Sequence, residues 1–124
     1  MRFDAKEDQK AMLNFEMRKE QNAFIVALSG NLDSLTTNEF TRLIETKLSE
    51  GEDFIIVNLD KLDHLSSAGL RGILLILKKI TADGKKIYFV STDEDVNRIF
   101  KTAGFYNSLI NIYESEDAVL NLPH

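Results

Sequence analysis

From Leu13 to Lys19 apolar and polar residues alternate, with Leu13, Phe15 and Met17 set against Asn14, Glu16 and Arg18. Successive side chains on a strand point to opposite faces, so this is the pattern of a half-buried strand. The polar triplet Glu20-Gln21-Asn22 separates it from a continuous apolar run, Ala23 to Leu28. Such a run predicts a more deeply buried strand, and the two together predict a hairpin. Gly30-Asn31-Leu32-Asp33 breaks the pattern and reads as a turn. Thr36 stands three residues before Glu39, the spacing of a capping box, and Leu35 and Phe40 flank it at the spacing of a hydrophobic staple. A helix is predicted to follow, with Phe40, Leu43, Ile44 and Leu48 inward and Gly51 as its stop.

Phe54-Ile55-Ile56-Val57 is dense in branched apolar residues and predicts a central strand. Asn58 to Leu65 mixes polar and apolar residues without that alternation and reads as a loop. Leu70, Ile73, Leu74 and Leu77 then recur at helical spacing, predicting a long helix from Ser67 to Ala82 that Asp83-Gly84 ends. Lys86 to Val90 is another strand. Thr92 and Asp95 form a capping-box-like pair before a helix with Val96, Ile99, Phe100 and Ala103 inward, closed by Gly104. A short strand, Leu109 to Ile112, and a short helix, Glu114 to Asn121, complete the chain. The order is β-β-α-β-α-β-α-β-α. Repeated β-α-β units require parallel pairing and right-handed crossovers. The predicted fold is a single α/β domain over residues 12–122, whose mixed, mostly parallel sheet opens with an antiparallel hairpin and carries about four helices. Residues 1–11 are polar and read as a flexible N-terminal arm.

Composition narrows the chemistry. The chain has 124 residues, 44% of them hydrophobic and 28% charged, a balance that excludes whole-chain disorder and suits one domain. It has no cysteine, which removes disulfides, thiolate metal sites and a cysteine nucleophile. It has two histidines, His64 and His124, too few for a multi-histidine metal site. The net charge of -5 argues against nucleic-acid binding and against polybasic adsorption to membranes. No apolar stretch is long enough for a membrane span, and the first ten residues do not resemble a signal peptide. A cytoplasmic protein with no direct membrane insertion is expected.

Four places are candidates for function. Leu65-Ser66-Ser67-Ala68-Gly69 lies at a helix start, where a serine caps the helix and where an attached phosphate is accommodated. Serine hydrolysis is a poor reading of it, since Leu65 stands where a nucleophile elbow needs glycine and His64 is the sole available base. The second place is the Gly30–Asp33 turn. The third is the acidic set Asp33, Asp60 and Asp63, which reads as solvated loop charge before it reads as a Mg²⁺ site. The fourth, Gly84-Lys85-Lys86, lacks the glycine-rich loop of a nucleotide site, so nucleotide binding ranks last among the readings.

Val57-Asn58-Leu59-Asp60 followed by Leu62, then Ser66-Ser67-Ala68-Gly69-Leu70-Arg71, resembles the STAS domain family, and Gly30-Asn31-Leu32-Asp33 resembles that family's Gly-Glu-Leu-Asp turn. The likeness runs from about Leu13 to Leu122 and is strongest to the free-standing anti-sigma-factor antagonists of bacteria. It implies a STAS-like fold and a non-enzymatic role without a cofactor. Its partners would be an anti-sigma factor that is also a serine kinase of the GHKL type, and a serine phosphatase. Binding the kinase frees a sigma factor; phosphorylation of one serine releases the kinase again. The matching serine is Ser67, with Ser66 as the alternative acceptor. Ser66 takes the place of the family's aspartate and Ala68 that of its second serine. The resemblance makes Asp33 a partner-binding residue, and Asn31, in place of a glutamate, a residue for kinase selectivity. Asp63, Ser66, Gly69 and Arg71 join them on the expected partner surface. The same fold also serves as a subunit of lipid-trafficking ABC transporters, which is the alternative function. The oligomeric state stays open, although the edge of the hairpin is a place where copies can pair.

Overall fold

The computed structural model describes residues 12–51, 53–102 and 112–124. The arm read at 1–11, the inward Ala103, the closing Gly104 and the first residues of the last strand, Leu109 to Asn111, lie outside them. The elements are β1 (Leu13–Glu20), β2 (Ala23–Leu32), α1 (Thr37–Ser49), β3 (Phe54–Leu65), α2 (Ser67–Ala82), β4 (Lys86–Val90), α3 (Glu94–Thr102), β5 (Ile112–Tyr113) and α4 (Glu116–Leu120). The five strands form one sheet in the order β1-β2-β3-β4-β5. β1 and β2 are antiparallel, closed by Gln21 and Asn22 with Gln21 at φ 57°, and every other pair is parallel.

Strand order follows chain order, so right-handed crossovers carry α1, α2 and α3 to the same face of the sheet. Under them Phe24, Val26, Leu28, Ile55, Val57 and Phe89 meet Phe40, Ile44, Ile73, Ile76, Ile80 and Phe100 in the main core. Each fully buried side chain of this size contributes about 1.5–3 kcal/mol by leaving water. Ile76, outside the inward set read from the sequence, is buried, and Leu74 and Leu70 are only half-buried. The opposite face is covered by α4, whose Val119 and Leu120 pack on Ala23, Ile25, Phe54, Ile56 and Val90.

The segment 58–65 is strand, not loop. It pairs with β2 from Asn58 opposite Ala27 to Leu65 opposite Leu32, with register shifts between Ala27 and Ser29 and between Gly30 and Asn31. Each shift inserts one extra residue into β3 and reverses which face the next residues meet. Leu59, Leu62 and Leu65, three apart rather than two, therefore all reach the main core. A period of three imitates a loop to any reading that looks for alternation. β2 likewise runs on through Gly30, Asn31 and Leu32, and the turn begins at Asp33.

Candidate functional site

The carboxyl ends of β2 and β3 lie side by side, with Asn31 opposite His64 and Leu32 opposite Leu65. There the two chains part, β2 into the loop before α1 and β3 into α2. The Leu32 carbonyl accepts the Ser66 N–H at 3.0 Å, which ties the start of α2 to the end of β2. Ser66 is extended (φ -92°, ψ 172°), its hydroxyl oxygen accepts the Gly69 N–H at 3.1 Å, and its carbonyl accepts the Leu70 N–H at 2.9 Å. Ser66 is thus the helix cap, a role worth about 1 kcal/mol. Its neighbour Ser67 is the first helical residue, is exposed, and spends its hydroxyl on no described partner. Of the two serines read as candidates, one is committed to structure and the other is open to solvent.

Gly69 is buried against the same strand end, and a Cβ there would run into the Leu32 carbonyl oxygen. It serves the site by letting α2 approach β2 rather than by offering a surface. One turn on, a Cβ at Gly72 would strike the Thr37 hydroxyl, so α2 is pressed equally close to α1.

The β2 side of the site is built by Asp33 and Thr36. One carboxylate oxygen of Asp33, Oδ1, accepts the N–H groups of Leu35 (2.9 Å) and Thr36 (3.3 Å). Thr36, 4% exposed, turns its hydroxyl back into the loop, donating to the Asn31 carbonyl at 2.8 Å and accepting the Asp33 N–H at 3.0 Å. The capping box read at Thr36 and Glu39 does not form: Thr36 already has helical backbone and makes no side-chain cap. Asp33 takes the Thr36 N–H that the Glu39 carboxylate would accept in a box, and the Thr36 hydroxyl is already engaged with the Asn31 carbonyl and the Asp33 N–H. The staple fails with it, since Leu35 is 76% exposed while Phe40 is fully buried. Leu35 is a rim residue that sequence reasoning assigned to packing. Asp33-x-x-Thr36 is the signal that marks it, because an aspartate turn at that spacing displaces the capping box.

Asp63 and His64 are exposed at the end of β3. Asp60 does not join them. Its Oδ1 accepts the Thr92 N–H at 2.5 Å and the Thr92 hydroxyl at 3.1 Å, pinning the loop before α3. The cap of α3 is Asp93, which accepts from Asp95 and Val96, in place of the Thr92 read from the sequence. Among the described residues no three acidic or histidine side chains gather as a metal-binding group, and no helix is long and apolar enough to cross a membrane. The polar groups at this end of the molecule are the exposed Ser67 hydroxyl, the carboxylates of Asp33 and Asp63, and the guanidinium of Arg71 one turn along α2.

The sequence matches the STAS domain family over residues 14–119. The chain belongs to the STAS domain family. It is 25% identical to the anti-sigma-B factor antagonist of Staphylococcus aureus over 85% of this chain and 96% of that one. Its structure resembles an anti-sigma factor antagonist of Mycobacterium paratuberculosis, with a TM-score of 0.78 at 16% identity, covering 88% of this chain and 92% of the other. It also resembles SpoIIAA in the unphosphorylated form, with a TM-score of 0.70 at 19% identity, covering 90% of this chain and all of the other. The phosphorylated form of SpoIIAA from Bacillus gives 0.67 at 18% identity, covering 89% and 100%. At these identities the structural likeness establishes the fold, and the expected STAS-like α/β architecture is observed. In this STAS domain the expected surface residues Asn31 and Asp63 lie at the strand ends, Asp33 opens the loop after β2, Ser66 and Ser67 form the cap and first residue of α2, and Arg71 follows one turn along it, with Gly69 buried.

Proposed function

We propose that the protein is an anti-sigma factor antagonist that captures an anti-sigma serine kinase of the GHKL type, frees a sigma factor, and is switched off by phosphorylation of Ser67. The observation that carries this reading is the division of labour at the start of α2. Ser66 holds the cap through Gly69, and Ser67 presents an uncommitted hydroxyl beside the Asp33 loop. The antagonist relatives support the role, and a STAS-fold neighbour that exists in phosphorylated and unphosphorylated forms supports the switch.

The kinase would transfer the γ-phosphoryl group of ATP. A bond forms from Ser67 Oγ to phosphorus as the bond to the ADP leaving group breaks, and a base on the kinase takes the hydroxyl proton. A serine phosphatase reverses the state with water, releasing inorganic phosphate. Phosphorylation adds about 1.5 to 2 negative charges. Because Ser67 lies outside the core, the domain keeps its fold and the cost falls on the complex, where the new charge stands beside Asp33 and Asp63. A few kcal/mol of repulsion and desolvation is enough to weaken binding by orders of magnitude. Asp33 has Oδ2 unused by any described residue, and Leu35 protrudes next to it, giving the partner one polar and one apolar contact. The switch operates in the cytoplasm, where ATP and the sigma factor are.

The test is capture from host lysate with wild type, Ser67→Ala and Ser67→Asp as baits. The reading expects the kinase on the first two and not on the third. Retention of the same ABC-transporter ATPase by all three would replace it with the transporter-subunit role and leave Ser67 a plain helical serine.

A further inference from the structure

Arg71 is exposed on α2 and makes neither an ion pair nor a hydrogen bond with any described residue. It stands four positions after Ser67 in a continuous helix, the spacing at which side chains are neighbours on one face. Arg71 borders the groove between α1 and α2 with Ser34, Asn38 and Ala68, and because helical side chains lean toward the N-terminus its long arm can swing back toward the turn that carries Ser67. An acid preceding a base by four residues is the favourable order for such a pair. The molecule already contains a related arrangement: Glu116, the first residue of α4, binds the guanidinium of Arg18. Of the other described groups of the site, Asp33 and Asp63 are acidic and offer a phosphate nothing, and the exposed imidazole of His64 stands at the end of β3, opposite Asn31 and outside α2.

We propose that Arg71 is the internal counter-ion of phosphorylated Ser67. This rests on the phosphoserine reading of Ser67 and adds a second consequence to the modification. In the unphosphorylated protein the Arg71 charge is available to a partner. In the phosphorylated protein the phosphate engages the guanidinium fork through charge-assisted hydrogen bonds. The switch therefore withdraws a cation from the surface as well as placing an anion on it.

The experiment uses full-length protein carrying phosphoserine at 67, inserted genetically so that no kinase is needed, and follows the second ionisation of the phosphate by ³¹P NMR. A neighbouring guanidinium favours the dianion, so the wild-type midpoint is expected to lie below that of Arg71→Gln by about half a pH unit, roughly a threefold change in proton affinity. Arg71→Lys keeps the charge without the fork and is expected to fall between them. Coincident midpoints in wild type and Arg71→Gln overturn the proposal. Arg71 is exposed, so both variants are expected to fold, and circular dichroism checks it. Kinase capture by wild type with and without phosphoserine at 67 is measured alongside. Capture unaffected by the phosphate would sink the partner-switch reading, while the NMR midpoints would still decide the role of Arg71 on their own.

Discussion

Helices α2 and α4 start in the same way and end up doing opposite things. Each is capped by a serine in extended conformation, Ser66 and Ser115, whose hydroxyl oxygen accepts the N–H three residues on at 3.1 Å. In α4 the next residue is Glu116. It is held by Arg18 from β1 and by the Asn58 amide at 2.8 Å. Burial by itself would raise its pKa, but the hydrogen bonds from Asn58 and Arg18 and the Arg18 charge outweigh this and hold the carboxyl below its ordinary value. In α2 the next residue is Ser67, the first turn contains no acid, and Arg71 has no described partner. One helix start is a finished electrostatic anchor that fixes α4 across the back of the sheet. The other has the cap and the arginine but lacks the anion until one is added. The same cap motif thus supports a permanent contact or a reversible one, depending on the residue that follows the serine.

Substituting Ser67→Glu gives α2 the residue that α4 has and tests the comparison most severely. Affinity for the proposed kinase partner is expected to fall about 100-fold, roughly 2.7 kcal/mol by titration calorimetry, while unfolding stability moves by less than about 0.5 kcal/mol. A large loss of stability would mean that the α2 start is structurally intolerant of charge and that the two helix starts are not alike. Gly69→Ala attacks the frame instead, by forcing a methyl group against the Leu32 carbonyl. It is expected to cost about 2 kcal/mol in urea denaturation, and an unchanged midpoint would show that α2 is free to shift away from β2.

Removing the anchor at α4 is the converse test. Glu116→Gln is expected to cost about 1 kcal/mol at pH 7, modest because Arg18 is half exposed. The sign of its pH dependence follows from the lowered pKa. The wild-type advantage is fully present above the ordinary carboxyl value of 4.5 and is lost as the pH falls through the lower folded value. Denaturation curves of the two proteins should converge in acid; a gap that persists at about pH 2, below the range where carboxylates ionise, would mean the charge is not the cause. The smallest effects separate the caps themselves. Ser66→Ala is expected to cost about 1 kcal/mol and Ser115→Ala about 0.5 kcal/mol, because α2 is long and packed into the main core while α4 has a single turn or so to lose. Equal losses would remove the distinction.

Much of the architecture was readable in one dimension. The start of the β1 alternation at Leu13 and Phe15, the apolar run of β2, the Phe54–Val57 strand and the spacing of Ile73 and Leu77 are local consequences of period-two and period-3.6 burial, and they gave the strand and helix order, although Met17, read on the same side as Leu13 and Phe15, is exposed. What misled was local too. Thr36 and Glu39 have the spacing of a capping box, but the choice between box and aspartate turn depends on Asp33 and on the Asn31 carbonyl that takes the Thr36 hydroxyl. Leu59, Leu62 and Leu65 look like loop residues because two bulges against β2 change the phase of the strand, and a bulge is a property of the pair of strands.

The sequence by itself determined the element order, the α/β class, the likeness to STAS domains and the segment, Ser66 to Arg71, in which the candidate switch lies. Each depends on residue identity and near-neighbour spacing. The tertiary structure decided which serine is bound and which is exposed, why Gly69 is small, and which acids share the surface. Those outcomes turn on the Leu32 carbonyl meeting the Ser66 N–H, on α2 lying against β2, and on Thr92 engaging Asp60. They join residues far apart in the chain, and only the folded sheet brings them within hydrogen-bonding distance.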